Sequence, residues 1–228
     1  MPRTARAAQG GYCYHVINRG NRRAEVFHNA DDYAAFYHLM RKASSKVSMR
    51  VLGYILMPNH FHLVLWPAQD SDLASWMHWL LTTHVRRYNL CHHLTGLVWQ
   101  GRFRAFPIQE DEHLLAVCRY VERNALRAGL VERTEDWRWS SLAARLAGGS
   151  GLLTAGPVLL PAGWVEYVNR PETEAELAAL RRSVVRGSLF GGAVWQGRAA
   201  ERLGLQKTLR RPGRPKKAAA PSDAPMLF

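Results

Sequence analysis

Apolar positions along the chain switch between short runs and helical stripes. Residues 12–17, Tyr-Cys-Tyr-His-Val-Ile, are rich in aromatic and β-branched types and stop at Asn18-Arg19-Gly20-Asn21, which predicts a strand entering a turn. Asp31-Asp32 then opens a stretch in which Tyr33, Phe36, Tyr37 and Met40 recur at helical spacing, with the acidic pair at the helix's positive end. Two apolar runs, 51–57 and 60–66, flank Pro58-Asn59 and read as strands joined by a tight turn. A second helix is expected over 72–90, with Leu73, Trp76, Met77, Leu80 and Leu81 on one stripe, and residues 96–108 read as a further hairpin. A third helix starts at Asp111, a good cap residue, and ends before Gly129. This order predicts an α/β sandwich and not a doubly wound parallel sheet.

Beyond residue 146 the pattern loosens. Ala147-Gly148-Gly149-Ser150-Gly151 has linker composition, residues 172–185 read as a helix, and 196–217 hold eight Lys and Arg against one acidic residue. The expected division is a catalytic domain at 1–146, a linker and helical extension at 147–195, and a basic, disordered DNA-binding tail at 196–228.

Charge narrows the function classes. The chain has 228 residues, 31 Lys and Arg against 18 Asp and Glu, and a formal net charge of +13. Such a balance suits a polyanion, nucleic acid first. No apolar run reaches the roughly 18 residues of a membrane span, and residues 1–6 carry no apolar export signal, so a cytoplasmic, nucleoid-associated location is expected. Cys13, Cys91 and Cys118 are widely spaced and form no Cys-x-x-Cys pair, which leaves them as small reduced residues.

His60-Phe61-His62 is the sharpest chemical feature. In a strand, residues two apart share a face, so two imidazoles can converge on one metal ion. Alone, two of the chain's ten histidines read equally well as structural imidazoles. Tyr120 and Asn124 lie one helical turn apart on the third helix, with Val117 and Arg127 on the same stripe. Beside a His-x-His strand they make a nucleophile, at a site expected to be open to substrate, and a third ligand. A rival group, Tyr88 with His84 and His92, has the same four-residue spacing but sits among Arg86, Arg87 and Asn89, which reads as a solvated or DNA-facing surface.

Five ordered blocks add to this: Tyr14-His15-Val16-Ile17-Asn18-Arg19-Gly20-Asn21, Leu56-Met57-Pro58-Asn59-His60-Phe61-His62-Leu63, Gly96-Leu97-Val98-Trp99-Gln100-Gly101-Arg102-Phe103, Arg119-Tyr120-Val121-Glu122-Arg123-Asn124 and Trp137-Arg138-Trp139-Ser140-Ser141. Through them residues 2–142 resemble the REP-associated tyrosine transposases, relatives of the single-tyrosine HUH transposases of insertion sequences. One departure is Ala125, where the family usually has proline after the asparagine; without it the helix can continue past Asn124.

The resemblance implies an α+β, ferredoxin-like sandwich with an antiparallel central sheet and a basic C-terminal extension. It also implies cleavage and rejoining of single-stranded, hairpin-forming repeats through a 5′-phosphotyrosine on Tyr120, with His60, His62 and Asn124 as metal ligands. Imidazoles with one amide oxygen suit Mg²⁺ or Mn²⁺, the latter being the more comfortable with nitrogen. Expected DNA contacts are Arg19, Asn21 and Arg22 in the first loop, Arg102, Phe103 and Arg104, Arg127, and Arg211, Arg214 and Lys216 in an AT-hook-like segment. A monomer is favoured over a homodimer. Two alternatives stay open: a domesticated protein that binds hairpins without cutting, and a metal phosphodiesterase that uses water.

Overall fold

A computed structural model describes residues 9–149 and 151–209. Its elements run β1 (Cys13–Arg19), α1 (Ala30–Lys46), β2 (Met49–Met57), β3 (His60–Pro67), α2 (Asp72–Cys91), β4 (Arg104–Ile108), α3 (Glu112–Glu122), α4 (Asn124–Arg127), α5 (Ser141–Leu146), α6 (Trp164–Asn169), α7 (Glu174–Arg186), α8 (Ala193–Arg202) and α9 (Gln206–Leu209), with short 3-10 turns at Asn21–Arg23 and Thr134–Asp136. The four strands form one sheet in the order β2-β3-β1-β4, with every pair antiparallel. Strand–helix–strand, strand–helix–strand in that order is an α/β sandwich, as the sequence pattern led us to expect, and has the ferredoxin-like arrangement that the resemblance implied.

Period-two alternation sorts the side chains of the sheet. Tyr14, Val16, Phe61, Leu63 and Leu65 point into a core shared with Phe36 and Met40 of α1 and Trp76, Met77 and Leu80 of α2. Cys13, Ile55, Met57 and Val64 point to the opposite face, where Val117, Cys118, Tyr120 and Val121 of α3 cover them. Helix starts are set locally. The Asn29 side chain accepts from the backbone of Asp31 and Asp32, Asp111 accepts from His113, and Thr173 with Glu176 forms a reciprocal capping box.

Two expectations change. The 96–108 hairpin does not form: only Arg104–Ile108 is extended, and it pairs with β1. The preceding loop bonds to the first loop instead, through Asn21 N–H to Val98 O at 2.8 Å, Gln100 N–H to Arg19 O at 2.8 Å, and a Gly20–Trp99 bridge. Val98, Trp99 and Phe103 are each buried, which draws the loop inward against the α1/α2 core and leaves no strand partner across the turn. Gly20 is required at this crossing, since a Cβ there would lie 2.2 Å from Ala24 O.

The second change concerns the basic tail. Its described part, up to residue 209, is helical in α8 and α9, because Ala199, Ala200 and Leu205 join the α1/α2 core and supply the apolar contact that disorder would forgo. Residues 152–190 also pack inward: Trp164, Val168, Leu177 and Leu180 belong to the core on the α3 face.

Candidate active site

The strand geometry of β3 turns His60 and His62 to the α3 face, with ring centroids 5.1 Å apart and planes 79° apart. Each ring is held through Nδ1. His60 Nδ1 lies 2.6 Å from Asn59 Oδ1; an amide oxygen only accepts, so Nδ1 carries the proton and Nε2 keeps its lone pair. His62 Nδ1 lies 2.9 Å from Nε2 of His15. Burial lowers the His60 pKa to about 4, helped by the charges of Arg19 and Arg127 and opposed by a side-chain hydrogen bond with Asn124. Burial also holds His62 well below the usual imidazole range, with His15, His60, Arg127 and Arg19 adding to it. Both rings are therefore neutral at pH 7, the form that binds a divalent cation.

Tyr120 comes from α3. Its ring stands edge-on to His62 at 5.9 Å and to His15 at 6.0 Å, and the Arg127 guanidinium carbon sits 4.1 Å above its centroid. The residue is only 8% exposed, so the expected open site is instead a narrow one roofed by Arg127. No hydrogen bond among the described residues engages the Tyr120 hydroxyl. α3 relaxes at Arg123 (φ −80°, ψ −1°) without any proline. The helical ladder nonetheless persists through Arg127 N–H to Arg123 O and Ala128 N–H to Asn124 O, both 3.0 Å. Asn124 accordingly stays one turn from Tyr120 and reaches His60.

His15 is the residue sequence reasoning passed over. It lies on β1 opposite Val64, a diagonal neighbour of His62, is 3% exposed, and burial lowers its pKa to about 3. Only the β1–β3 register reveals the contact; the sequence signal was a histidine among apolar residues in a strand. Behind Tyr120, the carboxylate of Glu122 is fully buried and accepts from Ser141 Oγ, Arg145 and Trp164 Nε1. That network ties α3 to α5 and α6.

The expected DNA-contact residues divide into two groups. Arg19, Arg22 and Arg102 are exposed, and Asn21 is half-buried. Arg19 pairs with His60 in the sheet, and Asn18 Nδ2 donates to Gly101 O at 3.2 Å, so the two basic loops meet at the histidine end of β3. The others are engaged within the protein, Arg104 while still exposed. Phe103 is 6% exposed within the core and does not present a stacking platform. Arg104 donates to Val185 O at 2.8 Å, and Arg127 donates to Glu172 Oε1 at 2.8 Å and to Tyr120 O at 3.0 Å. Arg211, Arg214 and Lys216 lie outside the described residues.

Among the described residues, Asp111, Glu112 and His113 also bring three ligand atoms within 4.8 Å of one another. Asp111 is occupied in capping α3, accepting from His113 N–H at 2.9 Å. No helix among the described residues is long and apolar enough to cross a membrane.

Comparison with known proteins bears on the family and the fold. The sequence model of the family described as "Transposase IS200 like" matches residues 9–124, slightly more than half of the chain. A relative from Haemophilus influenzae, described as a REP-associated tyrosine transposase, is 21% identical over 142 residues, covering 58% of this chain and 79% of its own. The solved structure of a REP-associated tyrosine transposase bound to a REP hairpin superposes with a TM-score of 0.54 at 19% identity, covering 76% of this chain and 91% of that one. A transposase structure from Deinococcus radiodurans aligns with a TM-score of 0.37 at 19% identity over 49% of this chain and 88% of its own. From the match over residues 9–124, the chain belongs to the IS200-like transposase family.

Proposed function

We propose that this protein cuts and rejoins single-stranded DNA at hairpin-forming repeats through a covalent 5′-phosphotyrosine, with Tyr120 as the nucleophile. The observation that carries the reading is a tyrosine whose hydroxyl has no hydrogen bond among the described residues, beside two neutral imidazoles on one strand. Hairpin DNA as the partner rests on family membership, on the hairpin named for the structural neighbour, and on the basic loops around His60.

The residues present fit a divalent cation. Nδ1 of each histidine is already engaged, which fixes the rings and leaves Nε2 of His60 as a lone pair, and the Asn124 amide lies alongside. His60, His62 and Asn124 would hold Mg²⁺ or Mn²⁺. When bound, such a cation neutralises charge on the non-bridging oxygens of the scissile phosphate.

The chain's own part is positioning. The Tyr120 oxygen attacks phosphorus, the bond from phosphorus to the 3′-oxygen breaks, and the phenolic proton ends on the released 3′-hydroxyl. Bond count is conserved, so the reverse attack by a 3′-hydroxyl rejoins the strand without ATP. Arg19, Arg22 and Arg102 would neutralise flanking phosphates, which fixes the strand without reading its sequence.

The test uses a labelled hairpin strand with Mn²⁺ and a denaturing gel. Wild type should form a denaturant-resistant adduct of one strand per protein, and Tyr120→Phe should form neither adduct nor nick while still binding DNA. A mutant that nicks without an adduct would replace this reading by the water-based phosphodiesterase. A wild type that binds hairpins but never cuts would replace it by the domesticated binder.

A further inference from the structure

The segment that carries Glu172 lies beyond the family-matched residues 9–124, yet it is bolted to the helix of the nucleophile. Arg119, Arg123 and Arg127 recur every four residues along α3 and α4 and form a ladder of donors on one side. Arg119 Nη2 donates to Arg170 O at 2.7 Å and Pro171 O at 2.9 Å. Arg123 Nη1 donates to Val168 O at 3.1 Å and to Asn169 O. The Glu172 carboxylate then divides its oxygens, Oε2 to Arg123 Nε at 3.1 Å and Oε1 to Arg127 Nη1 at 2.8 Å, with its side chain only 4% exposed.

Arg127 passes this constraint on. Its other terminal nitrogen donates to the Tyr120 carbonyl at 3.0 Å, and its guanidinium lies over the Tyr120 ring at 4.1 Å. His15 and His62 bound the same ring edge-on. The phenol is thus held between a cation on one side and two imidazoles on another, and the cation is held by Glu172. Without the carboxylate, the two guanidiniums would lose the counter-charge they share; Arg123 keeps two carbonyl acceptors, whereas Arg127 keeps only the Tyr120 carbonyl, so Arg127 is the one that would leave its place.

We propose that Glu172 is a positioning residue for Tyr120, acting through Arg127, so that the C-terminal extension completes the active site. This rests on Tyr120 being the nucleophile. Orientation of a reacting group by a displacement of about 1 Å changes rates by roughly 100-fold, which sets the scale expected here.

The experiment compares full-length wild type with Glu172→Gln, Glu172→Asp, Arg127→Lys and the Glu172→Gln/Arg127→Lys pair. Gln keeps the shape and removes the charge; Lys keeps the charge and loses the planar stack. Adduct formation on a saturating labelled hairpin with Mn²⁺ should slow about 10- to 100-fold in Glu172→Gln and in Arg127→Lys. Hairpin affinity should stay within about 2-fold, Glu172→Asp should recover part of the rate, and the double variant should be no slower than the worse single one. Incorporated 3-fluorotyrosine gives a second reading, the Tyr120 resonance being the one missing from Tyr120→Phe; it should move in Glu172→Gln even before DNA is added.

An unchanged rate with an unmoved resonance overturns the proposal, as does a rate loss matched by loss of folded protein. Should wild type form no adduct on any hairpin, the functional reading falls. The fluorine resonance then decides by itself whether Glu172 orders Tyr120, and an unmoved line overturns that too.

Discussion

On the α1/α2 face of the sheet, Tyr88 meets His28, His84 and His92; on the α3 face, Tyr120 meets His15 and His62. Both tyrosines come from helices, and both groups mix the same residue types. They differ in what the polar atoms already hold. The Tyr88 hydroxyl is 2.7 Å from His28 Nε2, and His92 Nε2 is 3.0 Å from Asp32 Oδ1, which has Arg87 at 4.0 Å, while Oδ2 of the same carboxylate accepts from the His28 backbone. A carboxylate there takes up the imidazole donor and ties the cluster's polar atoms to partners within the protein. Around His60 and His62 the partners are amides and another imidazole, which orient the rings without adding negative charge. Residue type and helical spacing did not separate the two groups; the acceptors did.

The sharpest way to break the contrast is to remove each hydroxyl in turn. Tyr120→Phe should abolish the covalent adduct, whereas Tyr88→Phe should form it at a rate within about 3-fold of wild type, the lost bond to His28 being worth about 1 kcal/mol of stability. An adduct that follows Tyr88 instead would reverse the assignment. Next in size are the imidazoles. His60→Ala or His62→Ala should lower cleavage by a factor of 100 or more while hairpin affinity changes little, since removing a ligand removes chemistry before docking. His92→Ala should leave cleavage intact and lower the melting temperature by a few degrees.

Smaller effects separate ligands from the residues that orient them. His15→Leu should weaken Mn²⁺ binding, followed directly by electron paramagnetic resonance, about 10- to 100-fold, because His62 loses the partner of its Nδ1. His15→Gln retains an acceptor and should recover most of that loss; equal weakening in both would assign His15 to packing alone. Asn124→Ala should be milder still, raising the Mn²⁺ concentration needed for half-maximal cleavage, since water can replace one neutral ligand. A cleavage loss in Asn124→Ala as deep as in His60→Ala would argue against that ranking.

Much of this was legible from local pattern. Alternation in 60–66 placed His60 and His62 together on one face, and four-residue spacing placed Asn124 beside Tyr120, because both follow from backbone geometry alone. His15 was not legible, since its meeting with His62 depends on strand register across residues 15–64 of the chain. Glu172 was missed for the same reason: 45 residues separate it from Arg127, and nothing in a helix-start signal says where the helix will dock. The misread hairpin at 96–108 shows the converse. Its apolar residues were real, but Val98, Trp99 and Phe103 answer to the α1/α2 core and not to a strand partner.

The last contrast is between the histidines themselves under acid. His84 is 1% exposed, ringed by Phe27, Phe36, Tyr88 and Trp99, and its Nδ1 has no partner among the described residues. Burial lowers its pKa to about 3, with Arg87 and His92 pushing the same way and Asp32 opposing them. In the unfolded chain the ring takes a proton below about pH 6.5, while the folded state refuses it until about pH 3, so between these values unfolding is accompanied by proton uptake. Stability from this site is therefore complete above pH 6.5 and falls as pH drops, by at most about 1.4 kcal/mol per pH unit. His84→Met fills the same space with an unbranched apolar side chain and removes both the titration and the unpaired nitrogen. The variant should be at least as stable as wild type at pH 7, and its denaturant midpoint should decline less steeply between pH 6.5 and 4.5. Parallel curves over that interval would show that acid sensitivity resides elsewhere than His84.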